Sequence, residues 1–200
     1  MEVYFIRHGQ TTSNAAATHA GWAPVELTDK GKKQAEETRE ILKNVVFDRI
    51  YVSDLVRTRQ TADILFPDRE WILESRMREH GVGILEYQKV SDCIEKYGQS
   101  YMDARTRDDF SAYQGETAEE MADRVNDFMK SLEQAAEEEN SPEKAAVVCH
   151  AGSIYYALCY ALGLRLPKKK ILLSNCSVSK FRWEDGLWKV ELWNVIGKIE

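Results

Sequence analysis

The sequence predicts an α/β protein with a mostly parallel sheet, helices on both faces and an antiparallel pair at one edge. Three observations predict it. Short apolar, β-prone runs alternate with segments of helical periodicity, the pattern of strand–helix–strand units. Some of those runs are apolar at nearly every position, as in strands buried on both sides. The last two runs flank Glu184-Asp185-Gly186, a hairpin signal.

Taken in order, Val3–Ile6 is the first strand, and Thr28 caps a helix reaching about Lys43. Arg49–Val52 is the second strand. Ser53 or Asp54 then caps a helix with Leu55, Thr58, Ala62 and Leu65 on one face. Trp71–Leu73 is the third strand. Residues 87–114 interrupt the alternation: a short helix with Val90, Ile94 and Tyr97 precedes polar, charged and aromatic residues. This stretch is either a cap over a site or a helical excursion without function. Its Tyr97, Tyr101, Phe110 and Tyr113 either line an apolar contact for a ligand or pack the segment onto the domain. Thr117-Ala118-Glu119-Glu120 is a capping box that opens the longest helix, with Met121, Val125, Phe128 and Leu132 inward and an end near Glu139. Ala145–Cys149 is the fourth strand. A helix follows with Ile154, Leu158 and Leu162 inward and Gly163 as its stop. Ser177–Trp183 and Leu187–Trp193 are the hairpin strands.

Two hundred residues, 44% hydrophobic, supply a core for one domain spanning 1–200, with 87–114 as the cap. That composition excludes a disordered or fibrous chain. The 27 basic residues against 33 acidic ones, a net charge of −6, oppose a nucleic-acid module, which needs a basic surface. They do not oppose a local basic pocket for a small anion. Cys93, Cys149, Cys159 and Cys176 are dispersed without a C-x-x-C pair, so no zinc knuckle or redox motif is expected. No signal peptide and no membrane-length apolar segment are evident. The expectation is a cytoplasmic protein with no membrane partner, no cofactor and no metal, its oligomeric state open.

In open α/β sheets, ligands bind beyond the carboxyl ends of the strands. Arg7-His8-Gly9 follows the first strand, and His150-Ala151-Gly152 the fourth. Ser53-Asp54 follows the second, with Arg57 in the next turn, and Glu79 sits in the loop after the third. Each has an ordinary alternative: a hydrogen-bonded structural histidine, a solvated Arg57, a surface ion pair of Glu79 with Arg76, Arg78 or His80. Their recurrence at equivalent places favours a site. Two guanidinium groups match a phosphate dianion. A neutral imidazole can attack phosphorus, a second histidine can stabilise charge, and a carboxylic acid can protonate the leaving oxygen and then activate water. Competing motifs are poor. Cys159 and Arg165 have the spacing of cysteine phosphatases but lie in an apolar helical stretch, and there is no Walker A motif or G-x-S-x-G elbow. His19 and His80 read as ordinary loop residues, and Lys168-Lys169-Lys170 as a solvated basic loop.

These residues resemble the histidine phosphatase superfamily, the phosphoglycerate mutase-like proteins. Arg7-His8-Gly9-Gln10-Thr11 with Asn14 resembles its R-H-G-[EQ]-T-x-x-N signature. Leu27 to Ala35 resembles L-T-x-x-G-x-x-Q-A, and Ser53 to Ala62 resembles S-x-L-x-R-x-x-x-T-A. Glu79 to Glu86, Gly115-Glu116-Thr117 and Val148 to Gly152 match three further motifs in the family's order. The resemblance implies a three-layer α/β/α sandwich with His8 as phosphorylated nucleophile. It implies that Arg7, Arg57 and His150 bind the phosphoryl group, helped by Asn14 and the Gly152 backbone, and that Glu79 is proton donor and then base. Four positions depart from the pattern: Ala20 replaces Gln, Tyr87 and Ala151 replace Gly, and Tyr155 stands where Arg is frequent.

The expected function is a metal-independent phosphomonoesterase acting on a small organic phosphate through a phosphohistidine. α-Ribazole phosphate, phosphosugars and phosphoserine are all open as substrates. The alternatives are phosphoglycerate mutase-type transfer and a non-enzymatic phospho-ligand regulator. Against the mutase, the stretch from Glu79 to Glu116 is short, and Arg105 and Arg107 are the nearest substitutes for its paired arginines. Against the regulator, both histidines, both arginines and Glu79 are present together.

Overall fold

A computed structural model describes residues 1–164 and 171–197. Its six strands are β1 (Glu2–Arg7), β2 (Arg49–Val52), β3 (Ile72–Leu73), β4 (Lys144–Cys149), β5 (Val178–Glu184) and β6 (Leu187–Val195). They form one sheet in the order β3-β2-β4-β1-β5-β6. The first four are parallel, and β5 runs antiparallel to both β1 and β6.

Strand alternation sorts β1 onto two cores. Val3 and Phe5 pack with Phe128, Leu132, Ile154 and Leu158 of α5 (Ala118–Ala136) and α6 (Ala151–Leu162). Tyr4 and Ile6 face the opposite way, joining Leu42 of α2 (Asp29–Leu42) and Ala62 and Leu65 of α3 (Val56–Leu65). Side chains of successive residues point to opposite faces, so an all-apolar strand requires a helical layer on each side. The three-layer arrangement follows.

Several local details differ from the sequence reading. Thr28 caps α2 as expected, accepting from the Gly31 amide. At α3 neither Ser53 nor Asp54 is the cap: Leu55 holds that position without a side-chain bond. Both candidates are engaged elsewhere, Ser53 with His150 and Asp54 with Arg78. The long helix α5 keeps its Thr117–Glu120 capping box but stops at Ala136. A five-residue helix, α1 (Thr12–Ala16), opens on a reciprocal bond pair between Thr11 and Asn14, a capping box with Asn in place of Glu.

The short helix expected through Tyr97 is instead α4 (Val90–Arg107), broken at Gly98, whose φ of 53° is left-handed. It belongs to a third apolar cluster with Val82, Leu85, Cys93, Tyr101, Phe110 and Tyr113. The aromatic residues of this stretch thus pack it onto the 82–85 loop, with Tyr97 edge-on to Tyr113 at 5.1 Å. Tyr87 has a φ of 64°, in the left-handed region that favours glycine. Cys93, Cys149 and Cys176 are buried free thiols, and burial pushes Cys149 and Cys176 up to about 12. Among the described residues no helix is long and apolar enough to cross a membrane. Arg165 and Lys168–Lys170 lie outside the described residues.

Candidate active site

Because β1 and β4 are parallel neighbours with Arg7 opposite Cys149, the residues that follow them leave the sheet side by side. The rings of His8 and His150 lie 5.1 Å apart. The His8 amide donates to the Cys149 carbonyl at 3.0 Å. Its Nδ1 lies 2.7 Å from the Gly9 carbonyl. A carbonyl only accepts, so Nδ1 carries the proton and Nε2 keeps a lone pair. Burial, then the Arg57 and Arg7 charges, hold the His8 imidazole well below its ordinary 6.5. It is neutral at pH 7 and nucleophilic.

The motif residues around His8 hold that turn in place. The Gly9 amide donates to Thr61 Oγ1 at 3.1 Å, and the Gln10 amide to Gln34 Oε1 at 2.9 Å. A Cβ on Gly9 would lie 2.4 Å from the Gly31 carbonyl oxygen, and one on Gly31 2.1 Å from that of Gln10. Only two glycines let the nucleophile turn pack against the start of α2.

Arg57, which had a solvated alternative in the sequence, is 1% exposed. Its Nε–H donates to His150 Nδ1 at 3.2 Å, and its terminal nitrogens donate to the carbonyls of Gly21 and Ala23. Burial lowers the guanidinium to about 10, so it stays charged at neutral pH. Since Arg57 donates to Nδ1, the neutral His150 ring carries its proton on Nε2, 2.9 Å from Ser53 Oγ. Burial, then the Arg57 charge, holds His150 well below its ordinary value. Arg7 donates to the Leu173 carbonyl, and its Nε is buried with no hydrogen-bond partner among the described residues. An unfilled buried cationic donor beside two histidines is a preformed anion contact.

Glu79 comes from the loop after β3. Its Oε1 accepts the His80 amide at 2.9 Å and the Gly152 amide at 3.1 Å, and Oε2 lies 3.3 Å from the latter. The carboxylate therefore stands at the N-terminus of α6, where the helix dipole favours negative charge. Of the neighbours that a surface reading pairs with Glu79, Arg76 bonds Glu74 and Asp127, and Arg78 bonds Asp54. A Cβ on Gly152 would lie 2.0 Å from Glu79 Oε1, so glycine is the condition for this approach.

Arg7, His8, Asn14, Arg57, Glu79 and Gly152 line one cavity of about 530 Å³. His150 is not on that wall; it sits fully buried behind Arg57 and His8. Asn14 Oδ1 caps α1 and accepts from Asn175 Nδ2 at 3.3 Å. The far wall carries Met102, Arg105, Thr106 and Asp108 from α4 and its end, with Phe110. Arg107 does not line it. His19 and His80, read as ordinary loop residues, both do. His19 Nε2 meets the Tyr101 hydroxyl at 2.5 Å, and His80 is 4% exposed with Nε2 at 2.9 Å from the Glu116 carbonyl.

Sequence reasoning missed Ser53, Thr61, Trp22 and Arg124 as supports of the site. The Trp22 indole N–H donates to the Glu79 carbonyl at 2.7 Å, and its amide to Glu86 Oε1 at 2.7 Å. Ser53 and Thr61 fall inside quoted motifs, which was their available signal. Nothing local marks Arg124.

A family model for the histidine phosphatase superfamily (branch 1) matches residues 3–196. A curated relative named probable phosphoglycerate mutase GpmB, from Escherichia coli O1:K1 / APEC, is 29% identical over 98% of this chain and 91% of its own. Among solved structures, a putative alpha-ribazole-5'-P phosphatase from Escherichia coli K-12 is similar at a TM-score of 0.87 and 22% identity, covering 98% of both chains. A phosphoserine phosphatase mutant from Entamoeba histolytica, in complex with phosphoserine, is similar at a TM-score of 0.81 and 23% identity, covering 96% of both chains. Below 25% identity these structures establish the shared fold.

Proposed function

The chain belongs to the histidine phosphatase superfamily, and within it we propose a metal-independent phosphomonoesterase that hydrolyses a small organic phosphate through a phosphohistidine on His8. One observation carries this reading: a single cavity gathers a lone-pair imidazole nitrogen, two arginines and a carboxylate seated at a helix N-terminus. Residues 87–114 serve as the cap, supported by Met102, Arg105 and Phe110 on the cavity's far wall.

In the first step the His8 Nε2 lone pair attacks phosphorus and the ester P–O bond breaks. The departing oxygen takes the Glu79 proton, leaving a phosphoramidate and a carboxylate. As Nε2 gives up its electrons, the Nδ1–H bond to the Gly9 carbonyl strengthens and holds the ring in line. In the second step Glu79 removes a proton from water, the water oxygen attacks phosphorus, and the P–N bond breaks to restore neutral His8. Inorganic phosphate leaves. Oε1 takes the two shorter amide bonds, which assigns the transferable proton to Oε2. Arg7 and Arg57 neutralise the phosphoryl oxygens. His150 acts through Arg57: by accepting the guanidinium Nε–H it fixes the orientation in which Arg57 meets the phosphoryl group. Asn14 completes the phosphoryl contacts, and the Gly152 amide contributes through Glu79, whose carboxylate it holds.

The test is phosphate release from a panel of phosphomonoesters, including alkyl, sugar and amino-acid phosphates. Activity is expected to survive exhaustive EDTA treatment, because Arg7 and Arg57 already supply the positive field. Loss restored only by Mg²⁺, Mn²⁺ or Zn²⁺ would contradict that. Gly152→Ala probes the carboxylate seat. The new methyl group collides with Glu79 Oε1 and meets Met121 Cε at 2.9 Å, so the carboxylate must move. A displacement of about 1 Å costs on the order of 10²-fold in rate. The thermal midpoint should fall modestly, since overpacking a buried position costs about 1–3 kcal/mol, more than the helix preference of alanine returns. Unchanged turnover of an alkyl phosphate in Gly152→Ala would show that Glu79 is not held where the chemistry occurs.

A further inference from the structure

We propose that Arg124, on the second turn of α5 and outside the cavity lining, is the positioning residue that fixes Glu79 for proton transfer. The inference rests on the phosphatase reading above, because it concerns the acid of that reaction. Its basis is a complete use of the guanidinium fork. Nε and one terminal nitrogen of Arg124 hold both oxygens of Glu116, each at 2.8 Å. The other terminal nitrogen donates to the carbonyls of Arg76 and Arg78, each at 2.7 Å, and a third loop bond reaches the Glu79 carbonyl at 2.9 Å. Arginine has five N–H donors in a fixed plane, and all five are used here.

Glu116 extends the grip by accepting the Gly81 amide at 2.8 Å. The acid loop from 76 to 81 is therefore held at three carbonyls and one amide from a single point on a helix. Burial alone would raise the Glu116 carboxyl, but the Arg124 bonds and the Gly81 amide keep it below its usual range, and so ionised. From the other side the Trp22 indole shares the Glu79 carbonyl. With its backbone pinned by Arg124 and Trp22 and its carboxyl by two amides, Glu79 has little freedom to leave the leaving-group oxygen.

The Arg124–Glu116 pair is largely shielded, at 16% and 13% side-chain exposure, so solvent only partly substitutes for a lost bond. Lysine retains the charge but not the fork. The same geometry explains why Glu116 precedes the α5 capping box: Thr117 fixes the helix start, and Arg124 then returns two turns later to the carboxylate.

The experiment compares wild type, Arg124→Lys and Arg124→Met on glycerol 2-phosphate and p-nitrophenyl phosphate, reading single-turnover phosphorylation of His8 with KM and thermal midpoints in parallel. The alkyl ester needs a proton on its leaving oxygen; the nitrophenolate hardly does. Arg124→Met is expected to lower the alkyl rate by about 10²-fold and the nitrophenyl rate by less than about threefold, with KM little changed. Arg124→Lys should recover only part of the alkyl rate. Equal drops on both substrates, a change confined to KM, or full rescue by lysine would overturn the positioning role while leaving the phosphatase reading intact. If Arg124→Met does not fold, Glu116→Gln is read by the same ratio. A wild type inactive on every phosphomonoester overturns the reading itself and the inference with it.

Discussion

His8→Ala is expected to abolish turnover and covalent labelling together while the fold persists. Removing a covalent nucleophile costs on the order of 10⁶-fold in kcat where its partners act as a unit. The fold should survive because, among the described residues, the His8 side chain bonds only the carbonyl of its own neighbour, Gly9. The bonds that bind this residue to the molecule are backbone ones: its amide to Cys149, and its carbonyl to the Asn175 side chain and the Cys176 amide. Alanine keeps them all. In the wild type, ³²P from a labelled substrate should appear on protein as an acid-labile, base-stable adduct, as a P–N bond requires. The pH dependence has a definite sign. Burial and two arginines lower the imidazole, so His8 stays unprotonated at pH 6.5, and any loss of phosphorylation rate from its protonation must begin below that value. Retained label or full activity in His8→Ala would sink the covalent mechanism, and a nucleophile limb centred above pH 6.5 would contradict the environment assigned to the ring.

Much of this site was legible because its residues follow strands. Arg7-His8 and His150 end apolar runs, and parallel pairing of β1 with β4 puts such ends together without further information. The glycines were legible as motif positions, though their reason was not: Gly9 and Gly31 meet across 22 residues of sequence by hydrogen-bonded turn geometry that no local pattern encodes. What escaped were contacts made by side chains from elements far apart in sequence. Ser53 and Asp54 look like caps because short polar side chains usually cap helices. Here the buried His150 and the nearby Arg78 take them instead. α4 was read too short because a left-handed Gly98 breaks its periodicity and the chain then resumes the helix. His19 and His80 gave no signal because their roles depend on Tyr101 and on the Glu116 carbonyl. Arg124 lies on an amphipathic helix where a solvated arginine is the ordinary expectation, and only the returning 76–81 loop makes it a support.

The second large effect is expected from Glu79→Gln, and its signature is a difference between substrates rather than a loss alone. Glutamine keeps the shape of the side chain and an oxygen for the His80 and Gly152 amides, so the seat at the start of α6 is preserved. It has no proton to give at neutral pH. An alkoxide is a poor leaving group and needs protonation as the P–O bond breaks, whereas p-nitrophenolate leaves unaided. General acid help is worth about 10²–10⁴-fold, so Glu79→Gln should slow His8 phosphorylation by glycerol 2-phosphate by that factor and by p-nitrophenyl phosphate far less. A phosphate dianion bound beside the carboxyl favours its protonated form, which supplies the acid near neutral pH. With p-nitrophenyl phosphate the variant should instead accumulate phosphoenzyme, because the same carboxylate is needed to activate water in the second step. Glu86 and Glu116 are not substitutes: one accepts the Trp22 amide and the other is held by Arg124 and Gly81. Equal slowing of phosphorylation on both substrates, with no build-up of phosphoenzyme, would remove Glu79 as the acid and the base at once.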